Sequence, residues 1–220
     1  MTADPRQVQL ISELRKQGIA DDRVLDAMAK VPRALFVDAP FVSSAYNNTA
    51  LPIACGQTIS QPFIVAYITQ HLELNESMRV LEIGSGSGYQ AAILSALCRR
   101  VYTIERHRPL LDEAISRLSK LKIHNIVTKH GDGFAGWPQQ APFDRIILSC
   151  AVPNVPQILI EQLKIGGMLI APVSHVPKSD GLAASESFSQ QLTKMIRTET
   201  GVTEEILIPV VFVPMLSGLP

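Results

Sequence analysis

Three acids and one glycine-rich run are the residues in this chain best suited to hold a ligand. Glu82 lies in the apolar run Val80-Leu81-Glu82-Ile83, and Gly84-Ser85-Gly86-Ser87-Gly88 follows with glycine at every second position. The helical apolar pattern Ala91, Ala92, Ile93, Leu94, Ala96, Leu97 comes next, so the stretch reads as a buried strand, a tight turn and a helix start. Glycines there let the backbone adopt positive φ and bring main-chain N–H groups against a ligand; a glycine turn without a ligand is the plainer alternative. A dinucleotide fingerprint would need glycine where Tyr89 stands. An acid just ahead of the loop would repel a pyrophosphate, but it suits a ligand with a cationic amino group. Glu105 ends the next apolar run about twenty positions beyond Gly84, an offset from which a carboxylate can accept both hydroxyls of a ribose. A surface carboxylate is the competing reading for Glu105, and a turn-forming role is the competing reading for Asp132.

The second informative stretch is Gln57-Thr58-Ile59-Ser60-Gln61-Pro62. It offers hydrogen bonds without charge immediately before a proline that can open a helix. Ser60 taken alone is a candidate helix cap. In context, E-I-G-x-G-x-G resembles the first motif of the methyltransferases that use S-adenosylmethionine. The Gln-Thr-Ile-Ser-Gln-Pro string closely resembles the signature of the protein-L-isoaspartate (D-aspartate) O-methyltransferases. Arg33-x-x-Phe36-Val37, Ala45-Tyr46, His130-Gly131-Asp132-Gly133 and Phe212-Val213-Pro214 fit the same family. The chain differs from that pattern at Ala54 and Cys55, over Leu148 to Pro153, and at Ser174, places that bear on the acceptor side.

The resemblance implies S-adenosyl-L-methionine as cofactor, held by Gln57, Thr58, Glu82, Gly84, Ser85, Gly86, Gly88, Glu105, Asp132 and Gly133, with Asp132 accepting from the adenine amino group. It implies Ser60 as the catalytic hydroxyl, and Ile59, Ser60, Val213 and Pro214 as contacts to isoaspartyl peptides and proteins, the last two through extended backbone. The expected activity is transfer of a methyl group to the free carboxylate of L-isoaspartyl and D-aspartyl residues, as repair of damaged proteins. A carboxylate is ionised at neutral pH, well above its pKa of about 4, so no general base is needed. Catalysis would rest on desolvation and alignment. Two other classes stay open: a methyltransferase of a different, small-molecule acceptor, and a cofactor-binding protein without turnover.

The elements that must position these residues read as α/β: a doubly wound, mostly parallel sheet of the Rossmann-like methyltransferase kind, with N-terminal helices and a C-terminal antiparallel addition. A single domain over 1–220 is expected, with a helical and irregular cap carrying the substrate loop (1–75), a cofactor core (76–173) and antiparallel strands (174–220). Val8, Ile11, Leu14 and Arg15 give a first helix its stripe, ended by Gly18. Asp21 or Asp22 caps a second helix with Val24, Leu25, Met28 and Ala29 inward. A helix with Leu110, Leu111, Ala114, Ile115 and Leu118 follows the second strand, and one with Ile158, Leu159, Ile160 and Leu163 precedes a Gly166-Gly167 turn and the fifth strand from Met168. Residues 174–187 read as an exposed loop, and Phe188–Thr198 and Glu204–Val213 as two strands turning near Gly201.

With 220 residues, 46% hydrophobic, and 20 basic against 20 acidic side chains, the chain can bury a full core and shows no basic excess for nucleic acid. Three separated cysteines suggest neither disulfides nor zinc, and the five histidines have no ligand spacing, so no metal is expected. No apolar run approaches the roughly 20 residues that cross a membrane. A cytoplasmic monomer is the expectation.

Overall fold

A computed structural model describes residues 4–175 and 189–220. The chain opens with α1 (Pro5–Lys16) and α2 (Asp22–Lys30), capped by Asp4 and Asp21, whose carboxylates accept the N–H of Arg6 and Arg23, both at 2.9 Å. Each cap satisfies an amide that the helix itself leaves free. The buried face of α1 is turned from the expected one. Gln7, Leu10 and Leu14 are inside, and Val8 is 58% exposed. Gln7 is buried because its amide donates to Met28 O (2.9 Å) and Val31 O (3.2 Å) at the end of α2. In α2, Ala27 rather than Ala29 faces inward.

Short 3₁₀ turns over Arg33–Phe36 and Ala39–Ser44 follow. Buried Arg33 lies 5.0 Å over the Tyr89 ring, and Phe36 meets the same ring edge-on at 5.4 Å, so both brace an aromatic next to the glycine run. Strands β1 (Leu51–Pro52) and β2 (Thr58–Ile59) pair antiparallel, and α3 (Pro62–His71) begins just beyond them. The turn between the two strands has a Gln57 N–H to Ala54 O bond of 3.2 Å. Both its central residues have positive φ, Cys55 at 58° and Gly56 at 67°, the angles of a type I′ turn. Ala54 has no positive φ, so it is Cys55 that carries the strain in this loop. Cys55→Gly should therefore raise stability by about 0.5–1 kcal/mol in urea unfolding, since relief of a left-handed residue is partly offset by glycine's unfolded-state entropy. No gain would place the strain elsewhere.

The remaining elements are β3 (Arg79–Ile83), α4 (Tyr89–Ser95), β4 (Arg100–Glu105), α5 (Arg108–Lys120), β5 (Ile126–His130), β6 (Phe143–Leu148), α6 (Gln157–Glu161), β7 (Leu163–His175), β8 (Ser189–Arg197) and β9 (Val202–Val210). They form one sheet in the order β5-β4-β3-β6-β7-β8-β9, parallel through β7 and antiparallel from there. This is the doubly wound sheet with its antiparallel addition. Helices α3 and α4 cover one face, with Ile68, Leu72, Ala91 and Leu94 on Val80, Val101 and Ile147. On the other face, Leu159 and Ile160 of α6 pack on Leu81, Ile146 and Leu169. Ile115 and Ile158, expected inward, are 42% and 43% exposed.

Two expectations at the C-terminal end change. Gly166-Gly167 make the expected tight fold, with Gly166 at φ 76° and Gly167 close against Lys164 O, but it falls inside the 13-residue β7, where Phe143 pairs with Leu163 and Arg145 with Met168. Strand β9 stops at Val210, short of the expected Val213, and Gly201 makes the turn between β8 and β9. The expected exposed loop falls mostly on residues 176–188, outside the described residues, while Ser174 belongs to β7. No helix among the described residues is long and apolar enough to cross a membrane.

Candidate active site

The sheet order reverses between β3 and β6, where the connections run off in opposite directions and leave a crevice at the strands' carboxyl ends. A cleft of about 860 Å³, including its open mouth, lies there. The glycine run forms one wall. Gly84, Gly86 and Gly88 have φ of 90°, 50° and 88°. Space also matters at Gly88, where a Cβ would come 3.1 Å from that of Ala114, and at Gly133, where it would meet Ile83 Cγ2 at 2.3 Å. Gly84, Ser85, Gly86, Glu105 and Gly133 line the cleft; Gly88 stands behind it as the N-cap of α4.

Glu105 is 4% exposed, and its two oxygens accept the N–H groups of Gly86 (2.8 Å) and His107 (2.9 Å). It therefore clamps the glycine loop to the end of β4. Each oxygen keeps a lone pair for a ligand hydroxyl.

Asp132 and Glu82 are off the cleft wall. Asp132 Oδ1 accepts from Phe134 N at 2.8 Å and Oδ2 from Gly218 N at 2.7 Å, so the carboxylate makes a turn and ties down the C-terminal tail. Glu82 is completely buried, because its side chain leaves β3 on the opposite face from Leu81 and Ile83. Among the described residues its one hydrogen bond is from Thr103 Oγ1 at 2.6 Å, and Oε1 has no partner. Burial pushes its carboxyl up to about 8, against the Thr103 bond, which lowers it, and with the Glu105 charge, which raises it further. Burial thus favours the protonated form of Glu82 and weakens the repulsion of a pyrophosphate expected of it. The protonated form belongs to the folded state, whereas the unfolded chain loses that proton near 4.5. Stability from neutral Glu82 is therefore full below about pH 4.5 and is lost as pH rises through about 8. Glu82→Gln should melt close to wild type at pH 5 and progressively above it from pH 6 to 9. A gap independent of pH would mean an ordinary carboxylate.

The opposite wall is the β1–β2 hairpin and the residues after it: Gln57, Thr58, Ile59 and Ser60 all line the cleft. Ser60 does not cap α3. The cap residue is Gln61, with no side-chain cap bond of its own. The Ser60 hydroxyl makes no hydrogen bond among the described residues, and the side chain is half-buried. Val213 and Pro214 complete the wall in extended form, but the Val213 carbonyl accepts from Ala151 N and Met215 N donates to Ala151 O, both at 2.8 Å. That edge of the segment is already taken within the chain.

Several lining residues have no motif in the sequence. Ser149 follows β6, and the rule that ligands sit at strand carboxyl ends could have found it; Cys150 beside it belongs to the 148–153 stretch expected to bear on the acceptor side, and it does line the cleft. Burial pushes the Cys150 thiol up to about 12, with the Glu105 charge adding to the rise, so it lines the cleft as a neutral group. Met215 and Leu216 arrive from the tail with no sequence signal. Among the described residues, two that line the cleft have buried polar atoms without partners, Ser85 Oγ and Arg106 Nε. Orphaned hydrogen-bonding groups beside a glycine cradle fit a polar nucleoside ligand.

A family model described as protein-L-isoaspartate(D-aspartate) O-methyltransferase matches residues 5–219. A protein-L-isoaspartate O-methyltransferase of Parvibaculum lavamentivorans is 54% identical over 216 residues, 98% of this chain and 94% of that one. One from Paramagnetospirillum magneticum is 49% identical over 218 residues, 99% and 98% of the two chains. A solved structure named protein-L-isoaspartate O-methyltransferase superposes with a TM-score of 0.82 at 28% identity, covering 94% of this chain and 65% of that one. A Plasmodium falciparum structure in complex with S-adenosyl-L-homocysteine gives 0.81 at 24% identity, covering 98% and 100%, and carries the fold alone. With the match running from the first helix to the tail, the chain belongs to the protein-L-isoaspartate (D-aspartate) O-methyltransferase family.

Proposed function

We propose that this chain is an S-adenosylmethionine-dependent protein-L-isoaspartate (D-aspartate) carboxyl O-methyltransferase, acting on isoaspartyl peptides and proteins as a cytoplasmic repair enzyme. The observation that carries the reading is the meeting of two walls in one cleft: a glycine loop clamped by Glu105, and an uncharged polar hairpin carrying Ser60. The cofactor supplies an already activated methyl group. Gly84, Ser85, Gly86 and Gly133 would hold it by backbone and hydroxyl groups, Glu105 by its remaining lone pairs, and Gln57 and Thr58 would close over it. Glu82, Gly88 and Asp132 support these residues from behind.

An acceptor carboxylate reaching the hairpin wall meets hydroxyls and amides and no acidic side chain among Gln57, Thr58, Ile59 and Ser60. Ser60 would donate its free hydroxyl to the acceptor and fix which oxygen points inward. Alignment of this kind is worth up to roughly 7–11 kcal/mol. Val213 and Pro214 would border the peptide with the edge that Ala151 leaves open. The methyl ester product collapses spontaneously when the neighbouring peptide nitrogen attacks the ester carbonyl and methanol leaves, giving a succinimide that hydrolyses partly to normal aspartate.

Transfer of radiolabelled methyl from S-adenosylmethionine tests the proposal. Base-labile label on an isoaspartyl peptide, absent from the aspartyl control, is the expected result. Base-stable label on another acceptor, or binding without transfer, would overturn it.

A further inference from the structure

We infer that Asn48 is a positioning residue for Ser60: it takes over the capping of α3 and so leaves the Ser60 hydroxyl free for the acceptor. The inference rests on the role proposed above for Ser60. Ser60 stands one residue before the cap position Gln61 and three residues before Phe63, the i to i+3 spacing at which a serine hydroxyl can accept an unbonded first-turn amide. Pro62 has no N–H to offer. Phe63 N–H is therefore the first-turn amide within reach, and Asn48 Oδ1 holds it at 2.9 Å from fifteen residues back in the chain. A backbone N–H can only donate, so this bond fixes the orientation of the Asn48 amide. Its NH₂ then donates to Gln17 Oε1 at 2.9 Å, just past the end of α1. The Asn48 carbonyl meanwhile accepts from Gln61 Nε2 at 3.0 Å, so one residue grips both Gln61 and Phe63. Ser60 comes immediately before this grip and keeps its hydroxyl on the cleft wall.

When Asn48 is replaced by alanine, Phe63 N–H loses its partner; Gln61 stays held through its Nε2 on the backbone carbonyl of residue 48, and the Ser60 hydroxyl, three residues before Phe63, is the acceptor that can turn to take the amide. Turning to cap the helix takes it from the acceptor carboxylate. The donor side is untouched, so the loss belongs in kcat.

The experiment is a double-mutant cycle of Asn48→Ala with Ser60→Ala, read as kcat on an isoaspartyl peptide, with S-adenosylmethionine affinity measured by calorimetry. Asn48→Ala alone should lower kcat about tenfold and change cofactor affinity less than twofold. In the Ser60→Ala background the same substitution should cost less than twofold, because no hydroxyl remains to be diverted. Asn48→Asp keeps an acceptor for Phe63 N–H and should hold kcat within about threefold of wild type; it also serves if the alanine variant does not fold. An equal loss with and without Ser60 would overturn the inference and leave Asn48 a purely structural tie, as would wild-type kcat in folded Asn48→Ala. Wild-type kcat in Ser60→Ala alone would instead remove the proposed role of Ser60, and the inference with it.

Discussion

Glu105→Ala should weaken S-adenosylmethionine binding by about 1.5–3 kcal/mol, roughly ten- to 150-fold, the range for hydrogen bonds to a charged group. The same change should lower the melting temperature, because the carboxylate also ties Gly86 N–H at 2.8 Å and His107 N–H at 2.9 Å. These two contributions need separating, since a loosened glycine loop would also bind less well. Calorimetry with a cofactor analogue lacking both ribose hydroxyls separates them. If Glu105 accepts those hydroxyls, wild type should prefer the natural cofactor to the analogue and Glu105→Ala should lose most of that preference. A preference that survives in Glu105→Ala would confine the residue to holding the loop. Glu105→Gln should fall short of full recovery, because an amide has one acceptor oxygen where two N–H donors must be satisfied.

The donor side of the cleft was legible because it is local. Strand β3, three glycines at alternate positions and the start of α4 follow one another in the chain, and Glu105 ends the neighbouring strand. Tyr89 in place of a third glycine correctly set the dinucleotide pattern aside. Glu82 shows the limit of such reading. Strand alternation turns it under the sheet, and only the structure reveals that its Oε1 meets no hydrogen-bond partner there among the described residues. Asp132 was visible as an acid, but its partner Gly218 lies far down the chain.

The cap and the acceptor side were less legible for the same reason. Gln7 is buried in place of Val8 because carbonyls at the end of α2 await its amide, a partner no helical period within α1 can announce. Gly166-Gly167 announce a tight fold of the chain, but that strand pairing with β6 continues on both sides of it is set by partners far off in sequence. The cleft is completed by Ser149, Cys150, Met215 and Leu216, brought together when Ala151 pairs with the tail segment at Val213 and Met215.

Ser60→Ala should lower turnover on isoaspartyl peptide at least tenfold, about 1.4 kcal/mol of barrier, with cofactor affinity nearly unchanged. Had Ser60 been the cap of α3, its loss would cost about 0.5–2 kcal/mol of stability and leave the rate alone. The structure assigns the cap position to Gln61 and the Phe63 amide to Asn48, so loss of stability through that route is closed. Ser60→Ala should accordingly melt within about 0.5 kcal/mol of wild type, as substitutions away from caps and cores do. A large loss of rate with little loss of stability is the signature of a group that acts only when the acceptor is bound. Ser60→Thr keeps a hydroxyl but restricts its rotamer, and should fall between alanine and wild type. Wild-type turnover in folded Ser60→Ala would leave the acceptor to be aligned by Gln57, Thr58 and the backbone at Val213, and would move the search for the catalytic group to those residues.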